Sequence, residues 1–127
     1  MYAAQLNAYK TAQDYNNKSG REIEADALMQ CARLLSDCQN NWDAVDNDKK
    51  LAKALKTNQS VWSIFQSELA RPDNPLPVEI RKNILTLSLF IDKRIIQIMA
   101  KPEPEKLKSL IDINLNLAAG LCASPAE

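Results

Sequence analysis

The chain has 127 residues, and its 16 basic residues balance its 16 acidic ones. This length predicts a single domain, and the zero net charge argues against a dedicated nucleic-acid-binding protein, which usually carries a basic excess. Only two glycines occur, and helix-favouring residues are common, so the composition predicts an all-α fold. No apolar run approaches the roughly 20 residues of a membrane span, and the first residues lack the features of a signal peptide. We therefore expect a cytoplasmic protein without membrane insertion.

The sequence lacks the patterns that most often carry catalysis or bind metals. The chain has no histidine, which is the commonest general base and metal ligand, and its three cysteines lack the spacing of a zinc site. The aspartates in residues 43–48 do not match the calcium-loop pattern, which needs a glycine and a glutamate at fixed positions. We therefore expect no enzymatic activity, no metal and no cofactor. Cys31 and Cys38 are expected in the core as small apolar residues, and Cys122 beyond the last helix.

Residues 1–18 form a weakly apolar segment. Tyr2, Leu6, Tyr9 and Gln13 are spaced by four, three and four residues, which is typical of one face of a helix. Because an isolated helix of this length is marginal in water, the segment is expected either to dock on the rest of the protein or to fray.

A Ser-x-x-Glu capping box at Ser19 and Glu22 predicts the start of the first long helix, which should end near Asn40. Its apolar residues recur with the 3.6-residue period of a helix. This stripe consists of Ile23, Ala27, Cys31, Leu34 and Cys38, with Trp42 as a candidate next member and Leu28 and Leu35 beside it.

A second helix is predicted from about Asp48 to Ala70. Its apolar seam repeats every three or four residues, as in a coiled coil, and consists of Leu51, Leu55, Asn58, Trp62, Phe65 and Leu69. Asn58 is a polar residue inside this seam, which costs stability unless its side chain is hydrogen-bonded. Lys49, Lys53 and Lys56 form a basic edge, which we interpret as a solvated flank because the chain has no net charge.

Pro72, Pro75 and Pro77 make the next segment a stiff, extended elbow. Asp73 and Asn74 are expected to form a turn there, because Asp and Asn beside proline favour turns.

The helix after the elbow is predicted from Val78 to about Ala100, and apolar residues cover more than one of its faces. Such a helix is usually buried on more than one side. We therefore expect it to be the central helix, with the others packed around it.

Two prolines end this helix, and a last helix is predicted to begin at Pro104 or Glu105. Gly120 is expected to cap its end, and its apolar stripe consists of Leu107, Leu110, Asn114, Leu117 and Leu121. The predicted fold is a small antiparallel bundle of about four main helices plus the short N-terminal helical segment. We expect one domain over residues 1–121 and a disordered tail over residues 122–127.

Four stretches of the chain together resemble the FlaF family of flagellar proteins. They are the start MYAAQ, the predicted helix segment NQSVWSIFQSELA, the elbow and helix PDNPLPVEIRKNILTLSLFIDKR, and the ending LIDINLNLAAGL. The resemblance spans the chain except for residues 38–56. It implies a role in flagellum biogenesis, in flagellin production and export, alongside a second small regulator, FlbT, which acts on flagellin mRNA. By implication the chain is a cytoplasmic flagellin-binding factor, either an export chaperone or a regulator.

The apolar stripes are wider than a small bundle can cover, and contiguous exposed apolar surface usually marks a partner site. The expected mode is a helix in a groove, with a terminal helical segment of flagellin as the bound helix and FlbT as a further partner. The predicted apolar contacts are Trp62, Phe65, Leu76, Ile84, Leu87, Phe90, Ile111 and Leu115. The predicted polar anchors are Asn58, Asp112, Asn114 and Asn116. Trp62 and Phe65 also suit a purely structural place in the core.

Two other functions fit the sequence. One is an RNA-linked post-transcriptional regulator of flagellin synthesis, for which the basic edge on the second helix is the candidate surface and whose RNA affinity would fall steeply with salt. The other is a structural subunit that self-associates through its surplus apolar surface.

Overall fold

The computed structural model describes residues 20–123, and this part of the chain is all-α, as predicted. The helices are α1 (Gly20–Asn40), α2 (Asn47–Leu69), α3 (Val78–Ala100) and α4 (Leu107–Ala123), with a 3₁₀ turn at Pro104–Lys106 before α4. The first three helices begin and end within about one residue of the predicted positions. The predictions for residues 1–18, the cap at Ser19 and the tail residues 124–127 lie outside the described residues.

The four helices form a bundle in which neighbours in sequence pack side by side and α4 returns to α1. Near the end of α1, the Gln39 side-chain amide donates a hydrogen bond of 2.9 Å to the carbonyl of Pro104, just before α4 begins. At the other end of the bundle, Gly20 of α1 and Leu121 of α4 line the same groove. Helices α1 and α4 are therefore antiparallel, and α2 and α4 face each other across the bundle.

Helix α1 is the most extensively packed helix. It packs most closely on α4 and next most closely on α2. Its buried residues include Ala25, Cys31, Ala32 and Cys38. Small side chains allow two helix backbones to come close, which explains the tight contact with α4. The prediction that both cysteines belong to the core is confirmed.

The prediction that α3 is the central helix is wrong. It packs mainly on α2, touches α4 with few backbone contacts, and buries one stripe of residues, namely Ile84, Ser88, Ile91, Ile95 and Ile98. Its outer side stays in solvent, with Leu89, Ile96 and Met99 exposed by 69%, 67% and 68%. The larger buried isoleucines hold its backbone further from its neighbours than the alanines of α1 do.

The end of α4 also differs from the prediction. The helix continues through Cys122 to Ala123, and Gly120 lies inside it without a positive φ. Gly120 is therefore not the cap, because the left-handed conformation of a glycine cap is not used there. Cys122 is a helical, exposed residue and does not lie beyond the helix.

Candidate functional site

A groove of about 650 Å³ opens at one end of the bundle, and we call it the end groove. The start of α1, the ends of α2 and α4, the elbow and the first turns of α3 meet around it. Its apolar lining consists of Phe65, Leu69, Pro75, Leu76, Ile84, Leu117 and Leu121. Its volume lies within the roughly 300–1,000 Å³ of typical ligand sites.

The elbow forms one wall of the end groove and is held by its own hydrogen bonds. The Asn74 side chain donates to the carbonyl of Glu68 at 3.1 Å and accepts from the Leu76 backbone N–H at 3.0 Å. This is the turn expected from an asparagine beside proline. The guanidinium of Arg81 on α3 donates to the carbonyl of Arg71 at 3.3 Å. Together these bonds fix the half-buried Leu76 at the groove.

The floor of the end groove is continuous with the core. Phe65 is almost fully buried and lies against Trp62, with ring centroids 5.6 Å apart and planes tilted by 46°, an arrangement that aromatic pairs favour. Ile84 reaches the same place from α3. A side chain that enters the groove therefore meets a rigid apolar surface.

The rim of the end groove is mainly acidic. Glu22 and Glu24 of α1 and Glu68 of α2 line it, together with Arg21. Burial and the nearby Glu68 carboxylate raise the pKa of Glu24, and Arg21 offsets only part of this effect. The rim therefore favours a ligand that brings positive charge to this side of the groove.

Three of the predicted contact residues form a buried hydrogen-bond network inside the bundle. Trp62 Nε1 donates to Asn114 Oδ1 at 2.8 Å, Asn114 Nδ2 donates to Asn58 Oδ1 at 2.7 Å, and Asn58 Nδ2 donates to the carbonyl of Ala54 at 3.0 Å. All three side chains have 0% exposure. They join α2 to α4, and a partner could reach them only if the bundle opened.

The other predicted contacts lie at the end groove, along α3 and on α4. Phe65, Leu76 and Ile84 come together at the end groove. Leu87 and Phe90 continue from Ile84 along α3 at spacings of three residues, on its partly exposed side, where the Arg94 guanidinium lies 5.4 Å from the centre of the Phe90 ring.

The remaining predicted contacts lie on α4. Ile111 is buried in the core. Asp112 forms an ion pair of 2.6 Å with Lys108, and Asn116 is exposed. Leu115 lines a second, shallower depression between α4 and α1, next to Met29. The structure does not bring these α4 side chains to the end groove.

Several groove residues were not among the predicted contacts. Leu69, Leu117 and Leu121 line the end groove, although each belongs to a stripe that the sequence shows. Glu24 and Glu68 were also missed. The sequence could have indicated the three leucines, because each lies near the end of its helix. A residue at the end of a bundle has fewer neighbouring side chains to cover it.

Across residues 20–123, no helix combines the length and the hydropathy that a membrane span requires. In the same part of the chain, no three cysteine, aspartate or glutamate side chains come together in a way that could hold a metal ion.

A family model described as "Flagellar protein FlaF" matches residues 5–121. The match therefore includes the elbow, all the helices that line the end groove and most of the N-terminal segment. No curated protein and no solved structure matches the chain.

Proposed function

Because the chain belongs to the FlaF family of flagellar proteins, we propose that it is a cytoplasmic flagellin-binding factor in flagellum biogenesis. It acts by binding and not by catalysis. One apolar face of a terminal flagellin helix occupies the end groove, and this interaction controls the production or export of flagellin.

The observation that carries this proposal is the convergence of Phe65, Leu76 and Ile84 on one solvent-accessible groove. Side chains from α2, the elbow and α3 form an apolar surface of the shape that accepts residues from successive turns of an amphipathic helix. Leu87 and Phe90 extend this surface along α3. A bound helix can therefore lie across the groove and follow α3.

The charge of the rim adds selectivity to the apolar contacts. Glu24 and Glu68 stand beside the groove, so a helix with a lysine or arginine next to its apolar face binds better than one with an acidic residue there.

Unassembled flagellin has helical ends that would associate with one another. A small bundle that covers such an end reversibly keeps the subunit available for export.

The test is co-purification of the protein with its flagellin, used at full length and with either terminal helix removed. We expect a stoichiometric, salt-tolerant complex that is lost with one of the truncations. Absence of any complex at both low and high salt would refute flagellin binding.

Two matched variants locate the site within the protein. Leu76→Glu places a charge in the end groove and is expected to weaken flagellin binding at least tenfold. Ile64→Glu places the same charge at an exposed apolar residue of α2 outside the groove, and it should leave the affinity within about twofold. Equal effects of the two variants would count against the end groove as the site.

FlbT is the second partner that we propose, and the outer side of α3 is a suitable surface for it. Leu89, Ile96 and Met99 are exposed there, and the exposed patch does not line the end groove. We expect Ile96→Glu to weaken binding of FlbT and to leave binding of flagellin intact. Loss of both interactions in this variant would argue against two separate surfaces.

A further inference from the structure

The outer side of α3 carries a regular pattern of residues that the described helices leave largely in solvent. Its members are spaced by four and three residues in turn, which is the spacing of a coiled-coil seam. We call this set the outer seam. Three of its apolar members, Val78, Leu89 and Ile96, are exposed by 53%, 69% and 67%. The full set consists of Val78, Lys82, Leu85, Leu89, Asp92 and Ile96.

The outer seam has the same order of residue types in both directions. Read forwards from Val78 and backwards from Ile96, it runs apolar, charged, apolar, and the two charged members have opposite signs. A two-fold axis brings a helix against a copy of itself that runs the other way. With the axis midway along the outer seam, each member faces a member of matching chemistry. The pairs between the two copies are Val78 with Ile96, Lys82 with Asp92, and Leu85 with Leu89.

Asp92 is able to take part in such a pair without losing its present contact. Its Oδ2 accepts a hydrogen bond of 3.0 Å from the side-chain amide of Gln66 on α2, and Asp92 is only half-buried. A carboxylate offers about four acceptor positions. Asp92 can therefore keep the bond to Gln66 while it accepts from the ammonium group of Lys82 of a second copy, which is exposed on α3.

The flank of the outer seam repeats this charge complementarity. Glu79 and Lys93 each follow a member of the outer seam by one residue, and both are exposed. The same two-fold axis places Glu79 of one copy beside Lys93 of the other, at the position where flanking charges set the orientation of paired helices. Both ends of the interface therefore gain a pair of opposite charges.

Other arrangements of the two helices lose this match. In a parallel pair, Lys82 faces Lys82 and Asp92 faces Asp92, so like charges meet. An antiparallel pair shifted by one heptad places Lys82 against Met99 and Asp92 against Leu89. Because a charge opposite a like charge or an apolar side chain disfavours an arrangement, the sequence of the outer seam selects one register.

We propose that the outer seam is an interaction surface for a second copy of this chain and forms an antiparallel, two-fold symmetric dimer through α3. The paired stretch spans residues 78–96, about 27 Å of helix. A contact between single helices of this length lies at the low end of interface sizes, so the dimer is weak, with a dissociation constant in the micromolar range. The described lining of the end groove includes no member of the outer seam, so the dimer leaves that groove open.

The dimer uses the side of α3 that is also proposed to bind FlbT. A second copy and FlbT therefore exclude each other, and the dimer covers this apolar surface when FlbT is absent. The dimer itself does not depend on the proposed function, whereas the exclusion rests on it.

The first test is sedimentation of the full chain from low micromolar to near-millimolar concentration. We expect the average mass to rise from that of one chain, 14.2 kDa, towards twice that value. Leu89→Glu places a charge in the middle of the outer seam and should raise the dissociation constant at least about tenfold. Ile64→Glu adds the same charge at a residue of α2 that is 61% exposed and should leave the constant within about twofold. The mass of one chain at every concentration, or equal effects of the two variants, would overturn the dimer.

A charge exchange on exposed residues tests the register and leaves the apolar contacts in place. Lys93→Glu and Glu79→Lys each put like charges at both ends of the interface, so each alone should weaken the dimer about fivefold. Mixing the two variants restores opposite charges in the mixed dimer, which should form with about the affinity of the wild type. In the antiparallel register shifted by one heptad, Lys93 faces Thr86, so Lys93→Glu would leave the affinity unchanged. That outcome would overturn the proposed arrangement.

Addition of FlbT separates this proposal from the proposed function. If both hold, FlbT binds one copy of the protein and the fraction of dimer falls. If FlbT binds the dimer without separating it, the exclusion is refuted. If FlbT does not bind while the charge exchange behaves as expected, the dimer is supported and binding of FlbT is the part that fails.

Discussion

Trp62 of α2 donates its indole hydrogen to the side-chain oxygen of Asn114 on α4 at 2.8 Å, and neither side chain is exposed. The side-chain amide of Asn114 donates a further hydrogen bond to the side-chain oxygen of Asn58 at 2.7 Å. Buried amides bond strongly only when each group finds its partner with good geometry. The network therefore sets the register between two helices that face each other across the bundle.

Replacing Asn114 by leucine should destabilise the protein. Asn114→Leu keeps the size of the side chain but leaves Trp62 Nε1 and Asn58 Oδ1 buried without partners. Since each unsatisfied group costs about 1–3 kcal/mol, we expect a loss of about 3 kcal/mol in the free energy of unfolding, measured by urea denaturation.

The matched control is Asn116→Leu on the same helix. Asn116 is exposed, so this change should stay within about 0.5 kcal/mol. The double variant Asn58→Leu, Asn114→Leu should cost less than the sum of the two single variants, because the two amides bond each other. Equal losses for Asn114→Leu and Asn116→Leu would contradict the network.

Two isoleucines of α3 test which side of that helix supports the fold. Ile98 is fully buried, whereas Ile96 is 67% exposed. Ile98→Ala should lower the free energy of unfolding by about 2–5 kcal/mol through lost burial and a residual cavity. Ile96→Ala should lower it by less than about 0.5 kcal/mol. A reversed order in urea denaturation would mean that α3 packs through its other side.

The connector before α4 should make a small contribution to stability that depends on pH. Lys106 Nζ lies 3.1 Å from Glu103 Oε1 and also donates to the carbonyl of Lys101 at 2.7 Å. The hydrogen bond and charge of Lys106, with a further contribution from Lys101, lower the pKa of Glu103 below its ordinary value of 4.5. A carboxylate with a lowered pKa in the folded state stabilises the protein above its unfolded pKa, and this is lost as pH falls through the folded value.

We therefore expect Glu103→Gln to be slightly less stable than the wild type at pH 7. The difference should begin to fall near pH 4.5, disappear once the pH is below the lowered pKa of the folded state, and shrink with added salt. Thermal unfolding across pH 3–7 measures it. Asp43→Asn, at an exposed loop residue, controls for general loss of negative charge. A difference that grows as pH falls would show the opposite sign of the pKa change.

The three cysteines should differ in reactivity. Burial raises the pKa of the Cys31 thiol to about 11, and burial together with Asp37 raises that of Cys38. Because the thiolate is the reactive form, a disulfide reagent at pH 8 should react quickly with Cys122 alone. All three thiols should react in urea. Rapid reaction of two or three thiols in the folded protein would contradict the buried positions.

The helix boundaries could be predicted because local signals mark them. The prolines at positions 72, 75 and 77 stop α2 from continuing and begin α3 at Val78, and Pro102 and Pro104 separate α3 from α4. Such effects depend on the backbone of a few neighbouring residues. The expectation that Gly120 caps α4 was wrong, because a glycine is compatible both with a helix cap and with a helix interior and the neighbouring residues do not distinguish the two.

The packing of the helices and the position of the groove could be predicted only in part. Ile91, Ile95 and Ile98 recur at helical spacing, so the sequence places Ile98 on the main apolar stripe of α3. It does not show that the face of α3 that carries Ile96 stays in solvent. Whether that face is covered depends on the packing of the whole bundle, in which α1, with its small buried residues Ala25 and Ala32, packs more extensively on its neighbours than α3 does. Likewise, the sequence places Asn58 and Asn114 inside seams but does not show that they bond each other.

Gly20 and Cys122 both line the end groove, so anything fused to the protein near either position emerges beside it. A purification tag or fluorescent protein there would crowd the surface under study. The loop over residues 41–46 lies at the far end of α1, about 30 Å away by helix rise, and its Val45 is fully exposed. A short epitope inserted in that loop would allow the protein to be detected without covering the groove.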